Sequence, residues 1–284
     1  MKPTFDISII VPNYNNGKYL SEFIESVIQS AILPRELIIV DDGSMDDSTK
    51  ILESFSELPY LKVVSFPENR GLTAALNAAI EIATGKYIMR ADPDDKLHPD
   101  RIEKQTAFML DNPQIDVLGC NVKYFSDKTG KTINQSNFPL DHHEIVKRYA
   151  KGEHGIQHPT AFLRGDIYKK YRYQKIFPGE DYEIFARMAF DGLVFANLKE
   201  PLYFMRVHKG SSTSNLSLDV ITQTYKFRDK IYGTHTSRWW IKRYYWHMLF
   251  YRKYQSSELN IIRYFYLLIS ILCYPSKLIN RLTK

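Results

Sequence analysis

The first ninety residues alternate short apolar runs with segments of helical period, and this alternation sets most of what the chain can become. Ile7-Ser8-Ile9-Ile10-Val11 is a nearly continuous apolar run closed by Pro12-Asn13. Leu20, Phe23, Ile24, Val27, Ile28 and Ala31 then recur at helical spacing. Leu37-Ile38-Ile39-Val40 is a second run, ended by Asp41-Asp42-Gly43-Ser44. A polar helix with Ile51, Leu52 and Phe55 on one face precedes a third run at Leu61-Lys62-Val63-Val64. Leu72, Ala75, Leu76, Ala79, Ile80 and Ala83 form the stripe of the next helix, which Thr84-Gly85 stops before a fourth run from Lys86 to Arg90. Unbroken apolar runs are strands buried on both faces. Strand–helix repeats with short loops predict an α/β fold with a doubly wound, mostly parallel sheet and right-handed crossovers. Beyond about residue 112 the alternation weakens. Strands are expected there at 115–125, 160–163, 193–196 and 202–207, with a helix following Pro178-Gly179.

Ligands of such sheets bind at the carboxyl ends of the strands. Here the second and fourth runs both end in acidic clusters. Asp92-Pro93-Asp94-Asp95 places three carboxylates within four residues. Their repulsion is tolerable in a half-buried site only with a compensating cation or donors, and hard oxygen ligands suit Mg²⁺ or Mn²⁺. A solvated turn capping the helix beyond Pro99 would use the same residue types. The cluster Asp41-Asp42-Gly43-Ser44-Met45-Asp46-Asp47 supports helix capping by Ser44 or Asp46, or, at its acidic pair, a phosphoacceptor site of a receiver-like signalling domain, although 284 residues is long for a receiver. Glu180 and Asp181 fall at an expected helix start, where the dipole stabilises negative charge. Asp181 is also a candidate general base. Arg206 and His208 lie two apart on an expected strand and so face one side, where they could meet a phosphate and its metal.

Charge divides the chain. The net charge is +6. Residues 238–284 hold nine basic residues and one acid, Glu258, for a net of +8. The remainder holds 29 basic and 31 acidic residues, a net of −2. This shift predicts a boundary within 210–237. The tail also holds Trp239, Trp240, Tyr244, Tyr245, Trp246, Phe250, Tyr251 and Tyr254. Basic residues among aromatics suit the interface of an anionic membrane. A helical pair packed on the body, or a dimer contact, would use the same composition. Nucleic acid is not expected as a partner, because the body is acidic and no nucleic-acid motif accompanies the tail. The longest late apolar stretch, residues 264–274, is too short to span a bilayer. Two cysteines, Cys120 and Cys273, make no disulfide framework, and Met1 to Asp6 runs straight into a strand with no secretory signal. Both point to the cytoplasm.

Read together, the motifs resemble the family 2 glycosyltransferases, the inverting GT-A-fold enzymes of bacterial polysaccharide and glycolipid assembly. The resemblance is carried by Ile9 to Asn15, Val40-Asp41-Asp42-Gly43-Ser44, Glu68-Asn69-Arg70-Gly71-Leu72 with Leu76-Asn77, Met89 to Asp95, Gly179-Glu180-Asp181-Tyr182, and Tyr203 to His208. These six segments keep the family's order and spacing over about residues 5–215. The resemblance implies a GT-A catalytic domain over 1–215 and a helical basic-aromatic extension over 216–284. It implies transfer from a nucleotide-sugar, a UDP-sugar above all, to a glycan or lipid-linked acceptor at the cytoplasmic face of a membrane. Pro12 and Tyr14 would line the nucleotide pocket, Asp42 would bond the uracil edge, and Arg70 would lie beside the base. Asp92-Pro93-Asp94 matches the family's DXD motif. Asp92 would reach the ribose or the metal shell, Asp94 would be the principal ligand of Mn²⁺ or Mg²⁺, and Asp95 would lie near the donor sugar. Asp181 matches the catalytic base, Arg206 would contact the diphosphate, and His208 would complete the metal shell. His158 and Glu180 would lie on the acceptor side. A catalytically silent nucleotide- or glycan-binding relative would keep the same motifs. Pro93 departs from the small residue usual at its position.

Overall fold

The computed structural model describes residues 2–176, 178–208, 217–257 and 259–275. Glu258 and the basic residues Lys277, Arg281 and Lys284 lie outside the described residues, as do 209–216, which take in the first part of the expected boundary. The chain forms two compact units, Met1–Ser211 and Ser212–Lys284.

In the first unit the four apolar runs become β1 (Thr4–Asn13), β2 (Leu33–Asp41), β3 (Leu61–Ser65) and β4 (Tyr87–Arg90). They pair in parallel in the order β3-β2-β1-β4. The crossovers are α1 (Gly17–Ile28), α2 (Ser48–Ser54) and α3 (Leu72–Ile82). Leu20, Phe23, Ile24 and Val27 of α1 are fully buried against Ile9, Val11, Leu37 and Ile39 of the sheet. The period-3.6 stripe of the helix thus meets the continuous apolar strands.

The sheet then changes character. β5 (Lys96–Leu97) and α4 (Arg101–Asp111) lead to β6 (Val117–Ser126), β7 (Thr132–Gln135) and α5 (His142–Ala150). The stretch expected as one strand at 160–163 divides into a 3₁₀ turn, His158–Thr160, and β8 (Phe162–Arg164). α6 (Gly165–Lys170), α7 (Glu180–Phe190) and β9 (Phe195–Val207) complete the unit. β8 inserts antiparallel between β4 and β6, while β9 runs parallel to β6 and carries β5 on its far side. The strands expected at 193–196 and 202–207 are therefore one. Lys199-Glu200-Pro201 reads as a break, but the register shifts opposite Asn121 and lets β9 continue past the proline.

The second unit holds α8 (Leu218–Tyr232), α9 (Arg238–Ser256) and α10 (Asn260–Cys273). Ser217 and Ser237 cap α8 and α9 by accepting from the N–H groups of Val220 and Trp240. α9 and α10 form an antiparallel hairpin. Arg243 Nε donates to the Cys273 carbonyl at 2.9 Å, His247 Nδ1 lies 2.9 Å from Ser270 Oγ, and Phe250 stacks on Tyr266. No described helix is long and apolar enough to cross a membrane.

Candidate active site

The loop leaving β4 carries the acidic cluster. Asp92, Asp94 and Asp95 each offer a carboxylate oxygen, and these lie within 4.8 Å of one another. Arg90, the last residue of β4, clamps Asp92 through Nη1 at 2.6 Å and Nη2 at 2.5 Å. The Asp92 N–H donates to Tyr203 Oη at 2.9 Å. The end of β9 closes over the same loop. Its Arg206 N–H donates to Asp95 Oδ1 at 2.7 Å, and His208 Nε2 sits 2.9 Å from Asp94 Oδ2.

The electrostatics show what the cluster lacks. Burial, then repulsion from Asp94 and Asp92, pushes the Asp95 carboxyl well above its usual range. Burial also raises Asp92, with Asp94 and Asp181 adding to it and Arg90 opposing. Carboxyls that disfavour each other's charge, on a loop with too few cations, form a set suited to a hard divalent ion. Asp94 and Asp92, with His208 beside them, fit such a ligand set.

Arg206 does not point outward. Its side chain is 7% exposed. Nε donates to the Asp94 carbonyl at 2.7 Å, Nη1 to Asp127 at 3.2 Å, and Nη2 pairs with Glu22. Tyr19 and Phe125 each face the guanidinium at 4.7 Å. In this arrangement Arg206 holds the acidic loop through the Asp94 carbonyl and the Asp95 carboxylate.

The nucleotide side forms at the ends of β1 and β2. Pro12 is buried and Tyr14 is 44% exposed. Asp42 is buried, and its oxygens accept the N–H groups of Arg70 at 2.7 Å and Gly71 at 2.8 Å. It thus pins the loop that starts α3. Gly43 lies under that loop at φ +70°, and a Cβ there would stand 2.6 Å from the Glu68 carbonyl carbon. Arg70 is exposed, with its guanidinium over the Phe66 ring at 4.6 Å.

The third side is the start of α7. Gly179 takes φ +103°, which turns the chain into the helix. Asp181 is half-buried; Oδ1 accepts the Tyr182 N–H at 2.8 Å and Oδ2 lies 3.6 Å from His154 Nδ1. The Asp181 charge acts on Asp92, which ties the helix start electrically to the acidic loop. Glu180 is 8% exposed, and its Oε2 finds no partner among the described residues. Burial, then Asp181, pushes its carboxyl up to about 7. His158 is buried beneath, with Nε2 2.7 Å from Tyr173 Oη, which in turn lies 2.8 Å from Tyr168 Oη. Burial, then the charges of Arg90 and His154, drives the imidazole pKa well down, so the ring is neutral.

The structure therefore gathers Asp92, Asp94, Asp95, Arg206 and His208 on one loop and strand end, and couples Asp181 to them. It keeps His158 within the buried layer. Arg90 was not singled out in the sequence, although its place two residues before Asp92 on a strand would put both side chains on one face. Glu22 and Asp127 carried no local signal.

A family model described as Glycosyl transferase family 2 matches residues 8–172. The chain belongs to this family. It is 31% identical over 212 residues to the amylovoran biosynthesis glycosyltransferase AmsE of Erwinia amylovora, covering 73% of this chain and 78% of that protein. Among solved structures, S. aureus TarS 1-349 in complex with UDP-GlcNAc matches with a TM-score of 0.63 at 21% identity, covering 89% of this chain and 74% of that one. The mannosyltransferase PcManGT from Pyrobaculum calidifontis, in complex with GDP-Man and Mn²⁺, matches with a TM-score of 0.56 at 14% identity, covering 95% and 74%. The fold is GT-A and the protein is a glycosyltransferase. The receiver-like reading of Asp41-Asp42 falls with this assignment.

Proposed function

We propose that this glycosyltransferase is metal-dependent and inverting, and that it moves a sugar from a UDP-sugar to a hydroxyl of a glycan or lipid-linked acceptor. The product would belong to a cell-surface polysaccharide or glycolipid, assembled at the cytoplasmic face of a membrane. The observation that carries the reading is the Asp92-Asp94-Asp95 cluster with His208 on Asp94 and Asp181 within electrostatic reach. The TarS complex with UDP-GlcNAc supports a uridine donor, and the PcManGT complex supports a divalent ion.

Asp94, with Asp92 and His208, would hold Mn²⁺ or Mg²⁺. A bound divalent cation supplies neutralisation of the diphosphate charge as the sugar departs. Arg206, through Asp94 and Asp95, keeps the loop carboxylates in place. Pro12, Tyr14 and Arg70 would border the nucleotide. Asp42 sets the position of Arg70 by its hold on the backbone, and its remaining lone pairs are available to the uracil edge. Asp95 would lie at the donor sugar. Asp181 accepts the proton of the acceptor hydroxyl as its oxygen attacks the anomeric carbon opposite the leaving diphosphate. Displacement from that face inverts the centre. Glu180, beside Asp181, would face the acceptor side, and so would the neutral His158, whose ring packs edge-on against Phe185 of the same helix.

A thermal-shift panel of sugar nucleotides with and without Mn²⁺ tests donor and metal together, because a bound ligand raises the melting temperature by mass action. UDP-sugars with Mn²⁺ should give the largest shift. Equal shifts with chelator present would contradict metal dependence.

A further inference from the structure

The second unit exposes a surface that glycosyl transfer does not use. Tyr244 of α9 meets Tyr225 of α8 on one side and Tyr274, just past α10, on the other, so α8 covers the Tyr244 side of the hairpin. The opposite side of the seam is marked by Phe250 against Tyr266, and the Lys253 ammonium lies over both rings at 5.8 and 5.4 Å. Lys253 therefore belongs to the face turned away from α8. At about 100° per residue, Trp239, Lys242, Trp246 and Lys253 fall within roughly 60° of one another on α9. All four are exposed, Trp239 at 63% and Trp246 at 46%. On α10 the flank next to Tyr266 carries Ile262, Phe265 and Leu272, exposed at 42%, 58% and 65%.

We propose that this face of the α9–α10 hairpin is an in-plane docking surface for an anionic lipid bilayer. The inference rests on the membrane reading above and names the surface that would make the contact. α9 supplies ammonium groups for lipid phosphates and indoles for the headgroup layer, and α10 supplies the aliphatic and phenyl groups that enter the acyl boundary. At 14 residues α10 is about 21 Å long, short of the roughly 30 Å hydrocarbon core, so it lies along the surface and does not cross. Charge selects this occupant over a second copy of the chain. An isologous dimer would bring together two faces that both carry Lys242 and Lys253, whereas an anionic leaflet neutralises them.

The test is co-sedimentation of the full chain with phosphatidylcholine vesicles, with and without phosphatidylglycerol. The wild type should bind the phosphatidylglycerol vesicles and leave the neutral ones. Lys242→Ala with Lys253→Ala should lower the partition about 25-fold, since each cation contributes about fivefold. Phe265→Ser with Leu272→Ser should lower it about tenfold or more. Lys128→Ala with Lys131→Ala, exposed lysines of the first unit, removes the same charge and should change nothing. The lysine pair is exposed, so its effect is read on folded protein. Wild type that binds while both face variants bind equally would overturn the face and leave the membrane reading standing. Wild type that ignores anionic vesicles would overturn both. A dimer dissociated by Phe265→Ser with Leu272→Ser, without vesicle binding, would assign the face to a second copy instead.

Discussion

Glu180 and Asp181 are neighbours in sequence with different environments. Asp181 keeps 31% of its side chain exposed, while Glu180 is buried with one oxygen unpartnered. The Glu180 carboxyl is raised from 4.5 to about 7 in the folded chain, so its cost is absent below pH 4.5, grows as pH rises to 7, and is constant above. Glu180→Gln removes that charge and keeps the shape. The variant should equal the wild type in urea denaturation near pH 4.5 and exceed it by up to about 3 kcal/mol at pH 8. Equal stability at pH 8 would show that the charge is compensated. At this scale the sequence showed the acids but not what surrounds them. Arg90 was within reach of a strand-periodicity argument. Glu22 and Asp127 stand 184 and 79 residues from Arg206, and only the fold brings them to its guanidinium.

The strands and helices that bear the motifs were legible where burial makes the pattern continuous. β1, β2 and α3 follow their apolar runs and stripe because both sheet faces are covered. β8 and β9 were harder. The 3₁₀ turn at His158–Thr160 depends on Thr160 Oγ1 donating to the Gln157 carbonyl at 2.7 Å, a local bond with no periodic trace. The continuity of β9 through Pro201 depends on its partner β6 shifting register. Gly43 joins two elements by close approach. Gly43→Ala meets the backbone of Glu68 and a left-handed φ together, and should cost about 1–3 kcal/mol of stability. It should also weaken UDP binding, because it displaces the loop that Asp42 pins. Calorimetric melting and UDP titration check both. Unchanged UDP affinity would separate this loop from the nucleotide site.

Across the molecule, the parallel half of the sheet, β3-β2-β1-β4, was readable and the mixed half was not. Pairing β4 to β8 joins residues 87–89 to 162–164, a distance that no local pattern encodes. The first unit is also tied by one buried carboxylate. Glu36 on β2 accepts from Ser8 on β1 and from Thr84 beyond α3, and pairs with Lys62 on β3. Burial alone would raise its carboxyl, but these donors outweigh it and hold the pKa at about 2. The folded pKa is depressed, so its contribution is full above about pH 4.5 and lost as pH falls towards 2. With Lys62 half exposed, it amounts to about 2 kcal/mol. Glu36→Gln should therefore lower stability at pH 7 and flatten its decline below pH 4.5 in acid titrations followed by circular dichroism. Under the proposed function, the charge partition would give the two units separate tasks, carboxylates for the donor and cations for a surface. UDP release from a panel of UDP-sugars in Mn²⁺, with water accepting the sugar, tests the role of the carboxylates most directly. Wild type should release UDP from at least one donor, and chelation or Asp94→Asn should abolish release. Asp181→Asn should slow it by about 10²–10⁴-fold while the UDP-induced melting shift is retained. Turnover indifferent to chelation, or Asp181→Asn at the wild-type rate, would contradict the account.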